Sequence, residues 1–186
     1  MKFPTYIVVE GPDCSGKSTL VAALAIKLED LGYSVYRARE PYASTKREMV
    51  GKTNKEATIL MRLDRLDIMG NYLSYAESSG DFIIADRNYN SEAAYQGETK
   101  AQILDILEFN RQWFIVPDLT VFLEVARSEA SAICYSRSEA FSPTEFDRLV
   151  KNYHFIQGQT TTPKMTFGPA WSVEERVQYI MEKLEI

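Results

Sequence analysis

Eight residues near the start of the chain have the types and spacing needed to hold a phosphate group. The segment Gly11-Pro-Asp-Cys-Ser-Gly-Lys-Ser18 fits the pattern G-x-x-x-x-G-K-[ST] at every fixed position. The glycines let the backbone pass close to a phosphate and turn its N–H groups inward. The lysine adds positive charge for the outer phosphates, and the last hydroxyl can hold Mg²⁺. The predicted nucleotide-binding loop consists of Gly11, Pro12, Asp13, Cys14, Ser15, Gly16, Lys17, Ser18 and Thr19.

The segments on both sides of this loop are those that the pattern requires. Tyr6-Ile-Val-Val9 is a continuous apolar run, which is typical of a strand buried on both faces of a sheet. After the loop, apolar residues recur at helical spacing, and Gly32 stands where a helix C-cap belongs. The start of such a helix adds partial positive charge toward a bound phosphate. The residues with this spacing are Leu20, Leu24, Leu28 and Leu31.

Strand and helix patterns alternate along the rest of the chain. Further apolar runs predict strands at 34–38, 82–85, 119–123 and 165–167. Helices are predicted at about 55–79, 91–97, 100–114, 128–135, 144–157 and from Val173 onward. This alternation predicts an α/β fold of the P-loop NTPase type, with a five-stranded parallel sheet flanked by helices on both faces. We expect a single domain over residues 1–186, with a short lid at about 136–144.

The predicted helix at 55–79 has an apolar stripe that we expect to face the core. The stripe consists of Ile59, Leu60, Leu63, Leu66, Met69, Tyr72 and Leu73.

Composition excludes several functional classes. The 186 residues are 45% hydrophobic and 25% charged, as in ordinary globular proteins. A net charge of -5 argues against a general nucleic-acid binder, although a small anionic ligand needs only a local basic pocket. Two cysteines make no disulfide framework, and no signal peptide is evident, so we expect a reduced, cytoplasmic protein. No apolar run approaches the roughly 20 residues that span a bilayer.

Charged residues lie at the predicted carboxyl ends of the strands, where parallel α/β sheets bind ligands. Asp86 follows the third strand, in the usual place for a carboxylate that, with Ser18, orients Mg²⁺ or its waters. Arg87 comes next, where hydrolytic ATPases commonly have a water-activating glutamate. An arginine suits a second phosphate better, so phosphoryl transfer to an anionic acceptor is favoured over hydrolysis. The alternative is that Arg87 pairs structurally with a nearby carboxylate.

Four segments, in order, resemble the thymidylate kinases, which pass a phosphoryl group from ATP to dTMP. Residues 10–19, EGPDCSGKST, are similar to the family's E-G-x-D-x-x-G-K-[ST]-T, and residues 39–41, REP, to its R-E-P. Residues 86–97, DRNYNSEAAYQG, resemble D-R-[YFH]-x-x-S-x-x-A-Y-Q-G. Residues 117–124, PDLTVFLE, resemble P-D-L-T-x-x-L-[DE]. The third segment is far more specific than the phosphate loop, which many enzyme types share.

The resemblance implies ATP and Mg²⁺ as cofactors, dTMP as acceptor, a homodimer, and roles at matched positions. Asp13 would accept a hydrogen bond from the sugar 3′-OH, and Arg87 would hold the acceptor phosphate. Tyr95 would lie against the deoxyribose, and Arg65 would reach a carbonyl of the thymine ring. The implied catalytic residues are Lys17, Asp13, Arg87 and Arg137. The implied acceptor-binding residues are Asp13, Arg39, Glu40, Met61, Arg65, Arg87, Ser91, Tyr95 and Gln96.

The chain departs from the family pattern at positions that bear on specificity. Met61 stands four residues before Arg65, where the family usually has a phenylalanine. A thioether contacts a ring less selectively than a stacked phenylalanine, so the accepted base is open. Cys14 occupies a loop position where some members carry an arginine. The lid would then supply that charge, and the candidates are Arg137 and, less favoured, Arg148 and Arg127.

The sequence therefore predicts a thymidylate kinase that uses ATP and Mg²⁺. One alternative is a related kinase of different or broader base specificity, acting on dUMP or a 5-modified dUMP. A second is a deoxynucleoside kinase, whose uncharged acceptor needs less arginine. A third is a nucleotide-binding regulator without transferase activity. Such a protein would not need an acceptor pocket, so the acceptor-type motifs argue against this alternative.

Overall fold

The structure is a computed structural model, and it describes residues 3–78 and 80–186. Its strands are β1 (Thr5–Glu10), β2 (Val35–Arg39), β3 (Phe82–Asp86), β4 (Leu119–Leu123) and β5 (Lys164–Phe167). Its helices are α1 (Lys17–Asp30), α2 (Ala43–Glu48), α3 (Asn54–Glu77), α4 (Tyr89–Gln96), α5 (Lys100–Trp113), α6 (Arg127–Ser136), α7 (Pro143–Gln159) and α8 (Val173–Lys183).

The strands form one sheet in the order β2-β3-β1-β4-β5, and every pairing is parallel. The predicted five-stranded parallel sheet is therefore confirmed. Strand β1 lies at the centre, with Val9 opposite both Asp86 on β3 and Val121 on β4. This register brings the carboxyl ends of β1, β3 and β4 to one edge, directly beside the phosphate loop.

Helices cover both faces of the sheet, which explains the continuous apolar runs in the central strands. Alternate residues of β1 point to opposite sides. Ile7 and Val9 pack with apolar residues of α1 and α8, including Leu24 and Ile180. Tyr6 and Val8 belong to a second cluster that includes residues of α3. Two buried layers therefore hold β1, and the loop that follows it, in place.

Helix α2 lies in a segment predicted to be a loop. Its six residues are few for a periodicity signal, and its position depends on a residue from another helix. Asp64 of α3 accepts hydrogen bonds from the Tyr42 N–H at 2.8 Å and from the Thr45 hydroxyl at 2.7 Å.

Helix α3 begins at a capping box formed by Thr53 and Glu56. Its predicted end at residue 79 lies outside the described residues.

The predicted core-facing stripe of α3 is wrong for four of its residues. Ile59, Leu63, Leu66 and Leu73 are each more than half exposed, at 52%, 55%, 55% and 51%. Another face of the helix is buried instead, and it carries charged residues as well as apolar ones. Its members are Ala57, Met61, Asp64, Arg65, Ile68, Tyr72 and Ala76. Hydrophobicity alone selected the wrong face because hydrogen bonds from Tyr42 and Thr45 hold Asp64 inside, and ion pairs with Glu40 and Glu92 hold Arg65 inside.

The helices predicted at 128–135 and 144–157 are present, with a connection between them. Helices α6 and α7 are joined by residues 137–142, close to the predicted lid at 136–144. Within residues 3–78 and 80–186, no helix combines the length and the apolar character needed to cross a membrane.

Candidate active site

A cavity of about 250 Å³ opens at the carboxyl edge of the sheet, between the phosphate loop and helices α2, α3 and α4. It brings together most of the predicted site residues. Its walls contain the loop residues Asp13, Cys14, Gly16, Lys17, Ser18 and Thr19, together with Arg39, Glu40, Pro41, Lys46, Met49, Met61, Asp86, Arg87, Ser91, Tyr95, Gln96, Arg137 and Glu139.

The phosphate loop depends on two glycines for its shape. Gly11 has φ +148°, and a Cβ atom there would lie 2.5 Å from the Leu123 carbonyl oxygen. Gly16 has φ +89° and caps the start of α1. The ammonium group of Lys17 lies inside the loop and donates to the Pro12 carbonyl at 2.6 Å. Burial, and next the nearby Arg87 guanidinium, lower the pKa of Lys17 to about 7, because both disfavour the charged form of the ammonium group.

Ser18 and Asp86 supply a pair of oxygens beside the loop. The Ser18 hydroxyl donates to the Asp86 carboxylate at 2.5 Å, and Asp86 is 5% exposed. Register explains the pairing, because Asp86 ends β3 opposite Val9 of β1. A hydroxyl and a carboxylate are oxygen ligands of the kind that Mg²⁺ prefers, and magnesium usually takes only one or two from a protein beside phosphates. The residues present therefore fit the predicted metal position.

Arg87 crosses the floor of the cavity from the end of β3 toward the phosphate loop. Its backbone has φ +78°, and its N–H donates to the Val9 carbonyl. The guanidinium donates to the Asp13 carboxylate at 2.5 Å and to the Gly11 carbonyl at 3.2 Å. The alternative of a structural pairing for Arg87 is thus realised in part. The side chain also lines the cavity, so its contact with an acceptor phosphate stays a prediction.

Three hydroxyl groups complete the surroundings of Arg87. The guanidinium donates to Ser91 Oγ at 2.9 Å, to the Tyr153 hydroxyl at 3.1 Å and to the Tyr95 hydroxyl at 3.2 Å. Beneath them, the fully buried Glu10 accepts from the Ser91 hydroxyl at 2.6 Å.

Burial raises the pKa of Asp13 while Arg87 and Lys17 lower it, and the net shift is downward. Asp13 is therefore a charged acceptor at neutral pH.

Helix α4 presents the next wall of the cavity. Tyr95 lies beside Arg87, with its ring centre 5.1 Å from the guanidinium carbon. Gln96 also lines the cavity, and its amide oxygen is one of three buried side-chain polar atoms among the described residues that lack a hydrogen-bond partner. A buried acceptor on a cavity wall is satisfied when a ligand donates to it.

Arg65 lies away from the cavity lining, which corrects the predicted contact with a base carbonyl. It is 4% exposed, and its guanidinium is bonded on two sides by Glu40 and Glu92. Asn110 accepts a further hydrogen bond at 2.5 Å. Four of its five N–H donors are thereby engaged within the protein. Sequence reasoning missed Glu92 and Asn110 because α4 and α5 bring them to Arg65 from distant parts of the chain.

Glu40 connects this buried network to the cavity. The Glu40 carboxylate accepts a hydrogen bond from Arg65 Nε at 3.1 Å, and Glu40 also lines the cavity. Burial raises the pKa of Glu40 to about 7, although Arg65 opposes that shift. Glu92 is fully buried and is shared with Arg62, whose Nη2 lies 2.7 Å away.

The outer wall combines predicted and unpredicted residues. Met61 is 6% exposed and lines the cavity, as does the exposed Arg39. Lys46 and Met49, on or next to α2, were not predicted as site residues. Because α2 was itself missed, no pattern placed them here. They add one cation and one flexible apolar side chain to the acceptor side.

The three lid candidates are separated by their positions. Arg137, at the end of α6, lines the cavity. Arg148 donates to the carbonyl oxygens of Ala94 and Gly97 and pairs with Glu145, so it holds α7 against α4. Arg127 pairs with Asp147 on the surface at 3.1 Å. Arg137 is the one of the three that lines the cavity, and its role as the lid arginine stays a prediction.

The parallel sheet, the phosphate loop and a cavity with cations at both ends define a P-loop phosphotransferase. The family model described as thymidylate kinase matches residues 9–166. The chain is 33% identical to a thymidylate kinase of Desulfotalea psychrophila, an alignment covering 84% of this chain and 82% of the relative. It is 32% identical to a thymidylate kinase of Chlorobaculum parvum, covering 77% and 73%. It is 28% identical to a probable thymidylate kinase of Thermococcus gammatolerans, covering 78% and 76%.

The chain therefore belongs to the thymidylate kinase family. It is a nucleoside monophosphate kinase, a phosphotransferase.

Proposed function

We propose that this protein transfers the γ-phosphoryl group of ATP to dTMP, giving dTDP, with Mg²⁺ as cofactor. One observation carries the proposal. A single cavity runs from Lys17 in the phosphate loop to a second wall lined by Arg39, Arg87 and Tyr95. A hydrolase needs cations only around its nucleotide, whereas transfer between two phosphorylated ligands needs them at both ends.

The phosphate loop is the donor end. Residues 11–19 would cradle the phosphates of ATP, with Lys17 directed at the outer ones. Ser18 and Asp86 would hold Mg²⁺, which when bound neutralises part of the charge on the β- and γ-phosphates. Arg137, on the loop 137–142 that we propose as a lid over this single domain, would add positive charge from the other side.

Arg87 is the centre of the acceptor end. Its planar, permanently charged guanidinium suits a phosphate that must be held in a fixed direction. An oxygen of the acceptor phosphate forms the new bond to the γ-phosphorus as the bond to the β,γ-bridging oxygen breaks. Asp13, which accepts a hydrogen bond from Arg87, would also accept from the sugar 3′-OH. Tyr95 would then occupy the space next to C2′.

The base would lie among Met61, Met49 and Gln96. The buried amide oxygen of Gln96 offers an acceptor for a ring N–H, which thymine and uracil carry at N3. Arg65 supports this wall by holding Glu40 and Glu92, rather than by touching the base.

A second candidate is a kinase with a broader choice of pyrimidine deoxynucleotides, including dUMP or 5-modified dUMP. Met61 favours it, because a flexible thioether lines the place where the family pattern has a stacking phenylalanine. The deoxynucleoside kinase alternative is less favoured, because Arg87 would have no phosphate to hold.

We further propose that the protein forms a homodimer through α3. Four apolar residues on that helix, Ile59, Leu63, Leu66 and Leu73, are each at least 51% exposed. Their spacing places them on one face of the helix, where a second copy related by a two-fold axis could bury them. Leu66→Glu should shift a dimer to monomer in sedimentation experiments, with Leu104→Glu on α5 as a matched exposed control. Sedimentation of the unmodified protein as a monomer at all concentrations would refute the dimer.

The transferase proposal is tested with the purified chain, ATP and Mg²⁺. Candidate acceptors are dTMP, dUMP, 5-hydroxymethyl-dUMP, dCMP, TMP with a ribose sugar, and thymidine. We expect dTDP formation from dTMP, weaker use of dUMP, and no product from thymidine. A product only from thymidine would favour the deoxynucleoside kinase. ATP binding without any product would favour the regulator.

A further inference from the structure

Both cysteines of the chain meet at the junction between the phosphate loop and the segment after α6. Cys14 belongs to the loop and Cys134 to the last turn of α6. Their sulfur atoms and a carboxylate oxygen of Glu139 all lie within 4.8 Å of one another. Cys14 is 8% exposed and Cys134 is 3% exposed, so the thiols are largely shielded from solvent.

We propose that Cys14, Cys134 and Glu139 form a binding site for a soft divalent cation of the zinc class, separate from the Mg²⁺ position. A tetrahedral site with Zn–S bonds of about 2.3 Å and a Zn–O bond of about 2.0–2.2 Å separates its ligand atoms by roughly 3.5–3.8 Å. The Cys14 sulfur and Glu139 Oε2 are 3.9 Å apart. Small side-chain movements would therefore complete three of four ligand positions.

Local structure explains why these three residues meet. Cys14 has φ +63°, and the turn around it lies against α6. At the end of α6, the Cys134 carbonyl accepts from the N–H groups of Arg137 and Glu139, at 3.1 and 2.9 Å. This turn, which passes through Ser138 at φ +55°, directs Glu139 back toward the two sulfurs.

Charge and polarity also suit such an ion. Two thiolates and one carboxylate carry three negative charges, and a divalent cation together with Arg137 carries three positive charges. The thiols belong to an apolar cluster with Ala130 and Phe146, which shields the sulfur side from water. Cys14 and Glu139 also line the cavity, so the fourth position faces the cavity and can be filled by water.

The soft ligands set the choice of metal. Thiolates favour zinc and similar ions, whereas Mg²⁺ favours oxygen ligands. Metal binding would displace the protons of the two thiols, because the thiolate is the form that binds the ion. An ion at this position would join the proposed lid segment to the phosphate loop.

The test uses Cd²⁺ as a spectroscopic substitute for zinc. The ion-free chain, kept reduced with a phosphine, is titrated with Cd²⁺ while the ultraviolet thiolate-to-metal absorption is recorded. We expect one ion per chain with the intensity of two thiolates, competition by Zn²⁺ and none by Mg²⁺. Glu139→Gln should keep that intensity but weaken binding at least about tenfold. As a control, Glu129→Gln removes an exposed carboxylate from α6, the helix that carries Cys134, and should change neither the intensity nor the affinity.

Two measurements do not depend on how a cysteine variant folds. Alkylation is run at the lowest urea concentration at which both cysteines of the ion-free chain react, because they are largely shielded from solvent in the folded protein. Under that condition Cd²⁺ should protect Cys14 and Cys134 of the unmodified protein together, as read by mass spectrometry. Unprotected cysteines, the intensity of one thiolate, or equal affinity in Glu139→Gln would each overturn the proposed ligand set. None of these readouts requires catalysis, so a failed metal site and a failed transferase assignment remain distinguishable.

Discussion

Replacing Arg65 with methionine tests whether this arginine stabilises the fold or reads the base. The substitution keeps a long apolar side chain but removes the charge between Glu40 and Glu92. Those two residues are 3% and 0% exposed, so neither can regain full hydration. Glu92 keeps its bonds to Arg62, whereas Glu40 loses the guanidinium that it accepts from. At pH values above its raised pKa, Glu40 would then be a buried carboxylate without a compensating cation.

The expected loss of stability follows from that count. Removing one partner of a buried ion pair costs about 3–5 kcal/mol of unfolding free energy. For a chain of 186 residues, each kcal/mol shifts the melting temperature by roughly 2–4 °C. Arg65→Met should therefore lower the melting temperature by about 6–20 °C. Arg62→Met is the control: its side chain is 29% exposed and Glu92 retains Arg65, so we expect a loss of about 1 kcal/mol.

The pH dependence of this loss supplies an independent check. The pKa of Glu40 is raised by burial from 4.5 to about 7. A carboxyl whose folded pKa lies above its unfolded value binds more protons when folded, so stability falls as pH rises between the two. Without Arg65 the folded pKa rises further. The deficit of Arg65→Met should therefore be larger at about pH 8 than at about pH 5.5.

The assay is urea unfolding followed by circular dichroism, with kcat/KM for dTMP and dCMP measured on the same preparations. We expect a lower unfolding free energy. We also expect the ratio of kcat/KM for dTMP to kcat/KM for dCMP to fall by no more than kcat/KM for dTMP itself falls. A folded Arg65→Met variant with a stability loss below about 1 kcal/mol and a collapsed preference would refute the structural role. That result would restore Arg65 as the residue that reads the ring.

Four further substitutions probe the cavity. Lys17→Ala should lower kcat by orders of magnitude while the melting temperature changes little, because the ammonium group serves the phosphates; an unchanged kcat would contradict the phosphate-loop role. Arg87→Lys should weaken acceptor use and leave ATP affinity nearly intact, because bidentate geometry is lost; equilibrium binding of each ligand separates the two effects. Tyr95→Ala should narrow the preference for deoxyribose over ribose, and an unaltered kcat/KM ratio would remove Tyr95 from the sugar contact. Met61→Phe should sharpen the choice of dTMP over dUMP by a ring contact worth about 0.5–1.5 kcal/mol, and equal ratios in both proteins would count against it.

The sheet and the phosphate loop could be predicted because each depends on neighbouring residues. Strands buried on both faces need continuous apolar runs, so β1, β3 and β4 were visible in the sequence. The loop needs glycines where φ is positive, and Gly11 and Gly16 have φ +148° and +89°. These requirements involve residues close together in the sequence, so the spacing of residue types is enough to predict them.

The acceptor wall was harder to predict because its interactions join distant elements. Arg65 of α3 contacts Glu40 at the end of β2, Glu92 of α4 and Asn110 of α5. Each of these residues alone reads as an ordinary charged or polar position. The exposed face of α3 misled for the same reason, since its leucines satisfy helical spacing whether a partner chain or the core covers them.

The phosphate loop depends on neighbouring residues, whereas the wall proposed to contact the base is built from several separate helices, and this difference bears on substrate specificity. The proposed transfer residues, from Lys17 to Arg87, lie on the loop after β1, the first turn of α1 and the turn after β3, and the central sheet fixes these segments. The proposed base wall comes from α2, α3 and α4, and helix α2 is held to α3 through Asp64. Substitutions at Met49 or Met61 can therefore alter the accepted base while the sheet keeps the phosphate loop and Arg87 in register. A change of base preference without loss of ATP affinity is what this architecture permits.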